Sequence, residues 1–211
     1  MRLRVLIVDD HAIVRRGLCK ILEESPDLEV AGEAATPSEA LDLVRRGAFD
    51  AAVVDLSLGG KSGFDLLRQI HSVRPKLPVL VLTVHPEDQY AVRSLRAGAR
   101  GFLNKESAPE ELVRAIRRIS AGGRYVSEAF AERLAGDLQR PADRPPHDAL
   151  SDREFEVLRR IASGRTVSQI ASDLGLSVKT VSTYRARVLR KMDMETNAQL
   201  TSYAIRSGLV D

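Results

Sequence analysis

The 211-residue chain is short of several things, and each shortage removes a class of function. Cys19 is the only cysteine, so neither an intrachain disulfide nor a cysteine-rich metal site is available, which suits a reducing compartment. Tryptophan is absent and aromatics make up 4% of residues, too few for a ring-lined surface that stacks sugars or bases. No apolar run approaches the ~18 residues of a membrane span. The N-terminus runs straight from Met1 into Val5-Leu6-Ile7-Val8 and then Asp9-Asp10, without the longer apolar core and cleavage site of a signal peptide. No membrane partner and a soluble, cytoplasmic setting are the expectation. Large net charge is also missing: the formal balance is +3, so any nucleic-acid footprint must be local.

What is present divides into two halves. Up to about residue 121, short continuous apolar runs alternate with helical patterns. The runs are Val5 to Val8, Leu28 to Ala31, Ala51 to Val54, Val79 to Leu82 and Gly101 to Leu103. Unbroken apolarity marks strands buried on both faces. Between them, Val14, Leu18, Ile21 and Leu22, then Leu66, Leu67 and Ile70, then Leu112, Ile116 and Ile119 fall at helical spacing. Thr36-Pro37-Ser38-Glu39 and Ser107-Ala108-Pro109-Glu110 both carry capping-box spacing. Five βα units in succession predict an α/β domain with a five-stranded, doubly wound parallel sheet over residues 1–121.

Residues 122–148 read as a linker, with a short helix over Ser127 to Leu134 and a stiff Pro-rich stretch from Gln139 to His147. From 149 to 211 every apolar pattern is helical. Ser151 to Glu154 and Thr166 to Gln169 are capping boxes. Gly175 breaks the chain, Ser177 caps a third helix running to about Met192, and a fourth runs from Thr196 to Ser207 before Gly208. Helix, glycine-containing turn and helix make a helix-turn-helix, so the second domain is small and all-α.

The chemistry-bearing residues of the first half share one place. Asp9 and Asp10 follow the first strand, Asp55 the third, Thr83 ends the fourth and Lys105 follows the fifth. These are carboxyl ends of parallel strands, where open α/β sheets bind ligands. Clustered carboxylates repel unless a cation sits among them, and oxygen ligands with free water positions suit Mg²⁺. A phosphoryl group arriving on one carboxylate would be neutralised by that ion and by Lys105, with Thr83 donating a hydrogen bond. Taken singly the residues have plainer uses: Asp10 as a helix cap, Thr83 as a satisfied hydroxyl, Lys105 as a solvated charge. Their joint placement favours the site.

Over about residues 2–121 the chain resembles the receiver domain of two-component response regulators. The resemblance rests on Val8-Asp9-Asp10-His11, Asp55, Thr83 and Gly101-Phe102-Leu103-Asn104-Lys105. It implies that Asp55 is the phosphoacceptor for a sensor histidine kinase. It also implies that Asp9, Asp10, Asp55 and the Ser57 carbonyl hold Mg²⁺, that Thr83 and Lys105 grip the phosphoryl oxygens, and that Phe102 occupies the switch aromatic position. Two departures are visible. Leu58-Gly59-Gly60-Lys61 replaces the usual Met-Pro, loosening a loop beside the metal, and Val84 stands where a small residue is common, partly obstructing Asp55.

The helix from Ser177 to Met192 carries Lys179, Arg185, Arg187, Arg190 and Lys191 and no acidic residue. A solvated basic face is the plain reading; the preceding turn and caps favour phosphate contact. Residues 149–211 resemble the LuxR-type helix-turn-helix of the NarL/FixJ response regulators. The resemblance is carried by Leu150 to Glu154, Val157-Leu158, Ile161 to Gly164, Gln169-Ile170-Ala171, Leu174, Leu176-Ser177, Thr180-Val181 and Tyr184. It implies major-groove entry by the third helix. Val181, Val188 and Met192 then face inward and Ser182, Thr183 and Ala186 face base edges. Lys179, Tyr184, Arg185, Arg187 and Lys191 hold phosphates of double-stranded DNA. The expected molecule is a regulator, homodimeric when active, rather than an enzyme. A haloacid-dehalogenase-type hydrolase would need an Asp where Ser57 stands. A protein-interaction role for the helical domain, as in sigma factors, is the remaining alternative, to be separated by salt-dependent DNA binding.

Overall fold

Continuous apolar runs become strands when both faces of the backbone ladder are covered, and the first half of the chain does this five times. A computed structural model describes residues 2–59, 61–132 and 145–210. The chain divides into two compact units, Met1–Gln139 and Arg140–Asp211.

In the first unit, β1 (Leu3–Val8), β2 (Leu28–Ala34), β3 (Ala51–Val54), β4 (Val79–Thr83) and β5 (Gly101–Asn104) form one parallel sheet in the order β2-β1-β3-β4-β5. The order reverses between β1 and β3, which creates a crevice at their carboxyl ends. Around the sheet lie α1 (Ala12–Glu23), α2 (Pro37–Arg46), α3 (Gly63–Val73), α4 (Glu87–Arg96) and α5 (Ala108–Ser120). Leu18 and Leu22 of α1 and Leu112, Ala115, Ile116 and Ile119 of α5 pack on Val5, Ile7, Val53 and Leu80.

Two local readings are corrected here. β2 continues past Ala31 through Gly32, Glu33 and Ala34, because these residues pair with Leu6, Ile7 and Val8 although their side chains break the apolar run. An edge strand needs only one neighbour to satisfy its backbone. Ser107, in contrast, makes no cap hydrogen bond. It lies with α-helical dihedrals in a 3₁₀ turn over Lys105–Ser107, and the cap of that turn is Asn104, whose side chain accepts the Glu106 N–H at 2.9 Å. The start of α5 is thereby fused to the end of β5. The Thr36 cap forms, with its hydroxyl accepting the Glu39 N–H at 3.3 Å.

The second unit contains α6 (Asp152–Ala162), α7 (Val167–Asp173), α8 (Val178–Lys191) and α9 (Asn197–Arg206). Ser151, Thr166 and Thr196 form reciprocal capping boxes, and Ser177 accepts the Thr180 N–H at 3.0 Å. The turn between α7 and α8 is a Schellman closure. Gly175 takes φ +61°, its N–H reaches Ser172 O at 3.2 Å, and Leu176 N–H reaches Ala171 O at 2.9 Å. A side chain at Gly175 would be strained in that left-handed conformation. Val181, Val188, Leu158, Ile170 and Leu200 are fully buried and form the core. Residues 128–132 are helical. The rest of the expected Ser127 to Leu134 helix, and most of the Pro-rich stretch, lies outside the described residues.

Lys191 ties the ends of α8 and α6 together. Its Nζ donates to Glu154 Oε2 at 2.6 Å, and Glu154 is 3% exposed. Burial pushes the Glu154 carboxyl up, but Lys191 and the Ser151 N–H and hydroxyl outweigh it, so its pKa is lowered. A depressed carboxylate adds stability above its unfolded pKa and loses it as pH falls through the folded one. Glu154→Gln is therefore expected to cost the second unit about 1–2 kcal/mol at pH 7. In urea unfolding followed against pH, the gap between variant and parent should close below the ordinary carboxylate range.

Candidate functional site: the carboxylate crevice and the basic helix

Strand register brings the crevice together. Val8 of β1 is paired with Val54 of β3, so the next residues, Asp9 and Asp55, leave the sheet side by side. Asp55 N–H still bonds Val8 O at 2.9 Å, and Asp9 N–H bonds Ala34 O at 3.1 Å. Thr83 pairs with Asn104, which delivers Lys105 to the same edge. Asp9, Asp55 and Thr83 are 1%, 2% and 0% exposed.

Lys105 Nζ donates to Asp9 Oδ2 and to Asp55 Oδ2, both at 2.6 Å. The other oxygens are held by backbone: His11 N–H to Asp9 Oδ1 at 2.8 Å, and Ser57 N–H to Asp55 Oδ1 at 3.2 Å. Burial pushes the Asp55 carboxyl above its usual range, with the Lys105 hydrogen bond opposing. Desolvation works against the Lys105 charge too, but hydrogen bonds to Asp55 and Asp9 prevail and raise its pKa. The ammonium is therefore held protonated between two carboxylates.

Asp10 is bound differently. Its Oδ2 accepts the Gly59 N–H at 2.8 Å, whereas its buried Oδ1 has no hydrogen-bond partner. His11 Nδ1 stands 2.8 Å from that oxygen without hydrogen-bond geometry. Ligand atoms of Asp9, Asp10, His11 and Asp55 lie within 4.8 Å of one another, a cluster able to hold a metal ion. A buried, unpartnered carboxylate oxygen beside two other carboxylates fits a hard cation of the Mg²⁺ type.

Ser57–Leu58 and Lys61–Ser62 pair as a small antiparallel hairpin, and Gly59, at φ +54°, supplies the N–H that holds Asp10. Val84 is 64% exposed. Phe102 is buried on β5 at 1% exposure, opposite Val81.

Two residues passed over in the sequence belong to this neighbourhood. His85 Nε2 lies 3.2 Å from Ser57 Oγ, its N–H reaches Thr83 Oγ1 at 3.4 Å, and its ring stacks on buried Tyr90 at 4.4 Å. Arg15 Nη1 donates to Asp9 O at 2.7 Å, fixing the bend after β1. Position two beyond Thr83 was the available signal for His85. Nothing in the sequence singled out Arg15 from other helix arginines.

On α8, Ser182, Thr183, Ala186, Lys179, Arg187 and Arg190 are exposed, while Tyr184 and Arg185 are half-buried. Val181, Val188 and Met192 face inward at 0%, 0% and 5% exposure. Three side chains expected to meet DNA have partners inside the domain. Arg185 Nε donates to Asn197 Oδ1 at 2.6 Å, the Thr183 hydroxyl to Lys179 O at 3.0 Å, and Lys191 to Glu154. The causes differ: α8 packs against α6 and α7, which brings Lys191 to Glu154, whereas Arg185 meets the first residue of α9 and Thr183 bonds one turn back on its own helix.

Removing Lys105 leaves two buried carboxylates facing each other. Lys105→Met is expected to destabilise the first unit by about 3 kcal/mol in metal-free buffer. Asp55→Asn added to it should restore part of that loss, a coupling that a double-mutant cycle in urea measures directly.

Comparisons with known proteins give the family of each half of the chain. Residues 5–117 match the response regulator receiver domain, and residues 148–204 match the bacterial regulatory proteins of the luxR family. Response regulator UvrY of Escherichia coli (strain K12) is 36% identical over 208 residues, 98% of this chain and 95% of that one. Response regulator GacA of Pseudomonas aeruginosa is 37% identical over 210 residues, 99% and 98% of the two chains. Among solved structures, the RcsB response regulator of Salmonella typhimurium superposes with a TM-score of 0.70 at 28% identity, covering 96% of each chain. An RcsB–DNA complex superposes at 0.60 and 28%, covering 96% of this chain and 98% of that one. The receiver match precedes the luxR-family match, and the chain belongs to the response regulators, as a member whose receiver is followed by a LuxR-type regulatory domain.

Proposed function

We propose that the protein is a DNA-binding transcription regulator of the bacterial cytoplasm, switched by phosphorylation of Asp55 from a partner histidine kinase. The observation that carries this is the Lys105 ammonium bonded at once to Asp9 and Asp55 at the carboxyl edge of the sheet. In the transfer, an Asp55 carboxylate oxygen attacks the phosphorus of a phosphohistidine whose other ring nitrogen already carries a proton, the P–N bond breaks, and the ring leaves as neutral imidazole. Lys105 stays protonated and offers its charge to the incoming phosphoryl oxygens. Thr83 Oγ1 accepts the His85 N–H, which leaves its own proton to donate. Asp9, Asp10, Asp55 and the Ser57 carbonyl are the residues to hold Mg²⁺, which supplies charge neutralisation when bound. The Asp55 backbone stays anchored to Val8, so the acceptor oxygen is presented without rearrangement of the sheet.

Transfer adds negative charge beside Thr83, and Thr83 and Phe102 are the residues assigned to convert it into a change of surface. Domain limits of 1–121, 122–148 and 149–211 follow from the same reading. The active species is a homodimer, since a two-fold molecule matches paired half-sites on double-stranded DNA. RcsB, which has been crystallised as dimers bound to DNA, supports both statements. On α8, Ser182, Thr183 and Ala186 are assigned to base edges and Lys179 and Arg187 to phosphates, with Tyr184 beside them. Arg185 and Lys191 hold the domain together through Asn197 and Glu154, so their phosphate contacts are secondary.

Incubation with acetyl phosphate and Mg²⁺ should add one phosphoryl group by intact mass, and Asp55→Asn should take up none. Labelling of Asp55→Asn at the parent rate would move the acceptor elsewhere. For DNA, Arg187→Ala or Lys179→Ala should weaken binding to all sequences and flatten the slope of log K against log salt by about 1. Ser182→Ala or Thr183→Ala should instead alter which sequences are selected from a random pool.

A further inference from the structure

Beyond α5 the chain returns to the sheet. Tyr125 N–H donates to Arg100 O at 3.1 Å and Phe102 N–H donates to Tyr125 O at 2.8 Å, a parallel bridge opposite Gly101 on the open edge of β5. The Tyr125 hydroxyl is held from α5, donating to Glu111 Oε2 at 2.9 Å and accepting from Arg114 Nη2 at 2.9 Å. Two residues on, Ser127 grips the first residue of α4 with two bonds. Its N–H donates to Glu87 Oε1 at 2.9 Å and its hydroxyl to Glu87 Oε2. The same hydroxyl oxygen accepts the Phe130 N–H at 3.1 Å, and the Phe130 side chain is 5% exposed.

This segment lies one step from each of the two residues assigned to the switch, Thr83 and Phe102. Phe102 touches it directly through its N–H. Thr83 reaches it through the loop whose His85 N–H rests on Thr83 Oγ1 and which ends at Glu87.

We infer that residues 125–130 form a strap that reads the state of the crevice: it is fastened to Glu87 and β5 while Asp55 is bare and is released when the Thr83 hydroxyl turns toward a phosphoryl group. The inference rests on Asp55 being the phosphoacceptor. When Thr83 turns, His85 N–H loses its acceptor and the loop it steadies moves. A carboxylate engaged by two donors on one residue tolerates little displacement, because hydrogen bonds weaken steeply off axis. Release uncovers the α4–β5 edge and hands the chain leading to the second unit a changed starting point. The coupling must run both ways, so a strap loosened by mutation favours the phosphorylated form.

The test uses the full chain, hydrogen exchange read by peptide mass spectrometry, and acetyl phosphate with Mg²⁺. Ser127→Ala and Glu87→Gln should each speed exchange across residues 124–132 by roughly tenfold, leave β1 and β3 unchanged, and raise the initial rate of Asp55 labelling several-fold. Labelled parent protein should show the same strap acceleration. A labelled parent whose strap exchanges as slowly as the bare form would overturn the inference, as would variants with a loosened strap labelled at the parent rate. Intact mass distinguishes this from failure of the underlying reading. A parent that takes up no phosphoryl group overturns the role of Asp55, and with it the coupling. Unchanged strap exchange in both variants overturns the clasp itself.

Discussion

One ammonium between two buried carboxylates is the interaction on which the receiver half turns. Asp9 and Asp55 leave adjacent strands side by side, each nearly inaccessible to water, and two such charges repel strongly in a poorly screened place. Lys105 removes the conflict from the far side of the sheet, and it can do so only because β5 pairs with β4 in a register that places it at the same edge. Sheet order, strand length and the fusion of β5 to α5 through the Asn104 cap all serve that placement. The crevice is consequently a property of the whole sheet rather than of one loop.

Charge is used in two ways along the chain. In the crevice, opposite charges are buried against each other and held short of full compensation, since Asp10 Oδ1 stays unpartnered. On α8 the basic residues divide: Lys191 and Arg185 are spent on Glu154 and Asn197, while Lys179, Arg187 and Arg190 remain exposed. The first pair stabilises the helical domain, and the exposed residues leave a positive surface available to polyanions. Among the described residues no helix is long and apolar enough to cross a membrane.

Local signals were legible where the physics is local. Ser151, Thr166 and Ser177 cap helices as their spacing indicates, and Gly175 closes the turn, because these bonds span only three to five residues. Ser107 has the same spacing and fails, since the chain arrives from β5 already turned into a 3₁₀ helix and the cap passes to Asn104. Gly59 reads as looseness in the sequence. In the fold it takes φ +54°, which glycine adopts without a Cβ penalty, and offers its N–H to Asp10, 49 positions away. Arg15 carried no pattern at all and His85 only its place two beyond Thr83, because their contacts depend on how β1 and β4 end.

The sequence by itself determined the two kinds of domain, the strand and helix pattern, and the identity of the crevice residues. Buried strands and amphipathic helices leave periodic marks, and the polar residues at strand ends interrupt them. Only the tertiary structure decided which charges meet. Lys105 and Asp9 are 96 residues apart, Lys191 and Glu154 are 37, and Ser127 and Glu87 are 40. Polar contacts of that kind leave no periodicity, because a polar or charged group is satisfied by whatever partner the packing of apolar faces brings within about 3 Å.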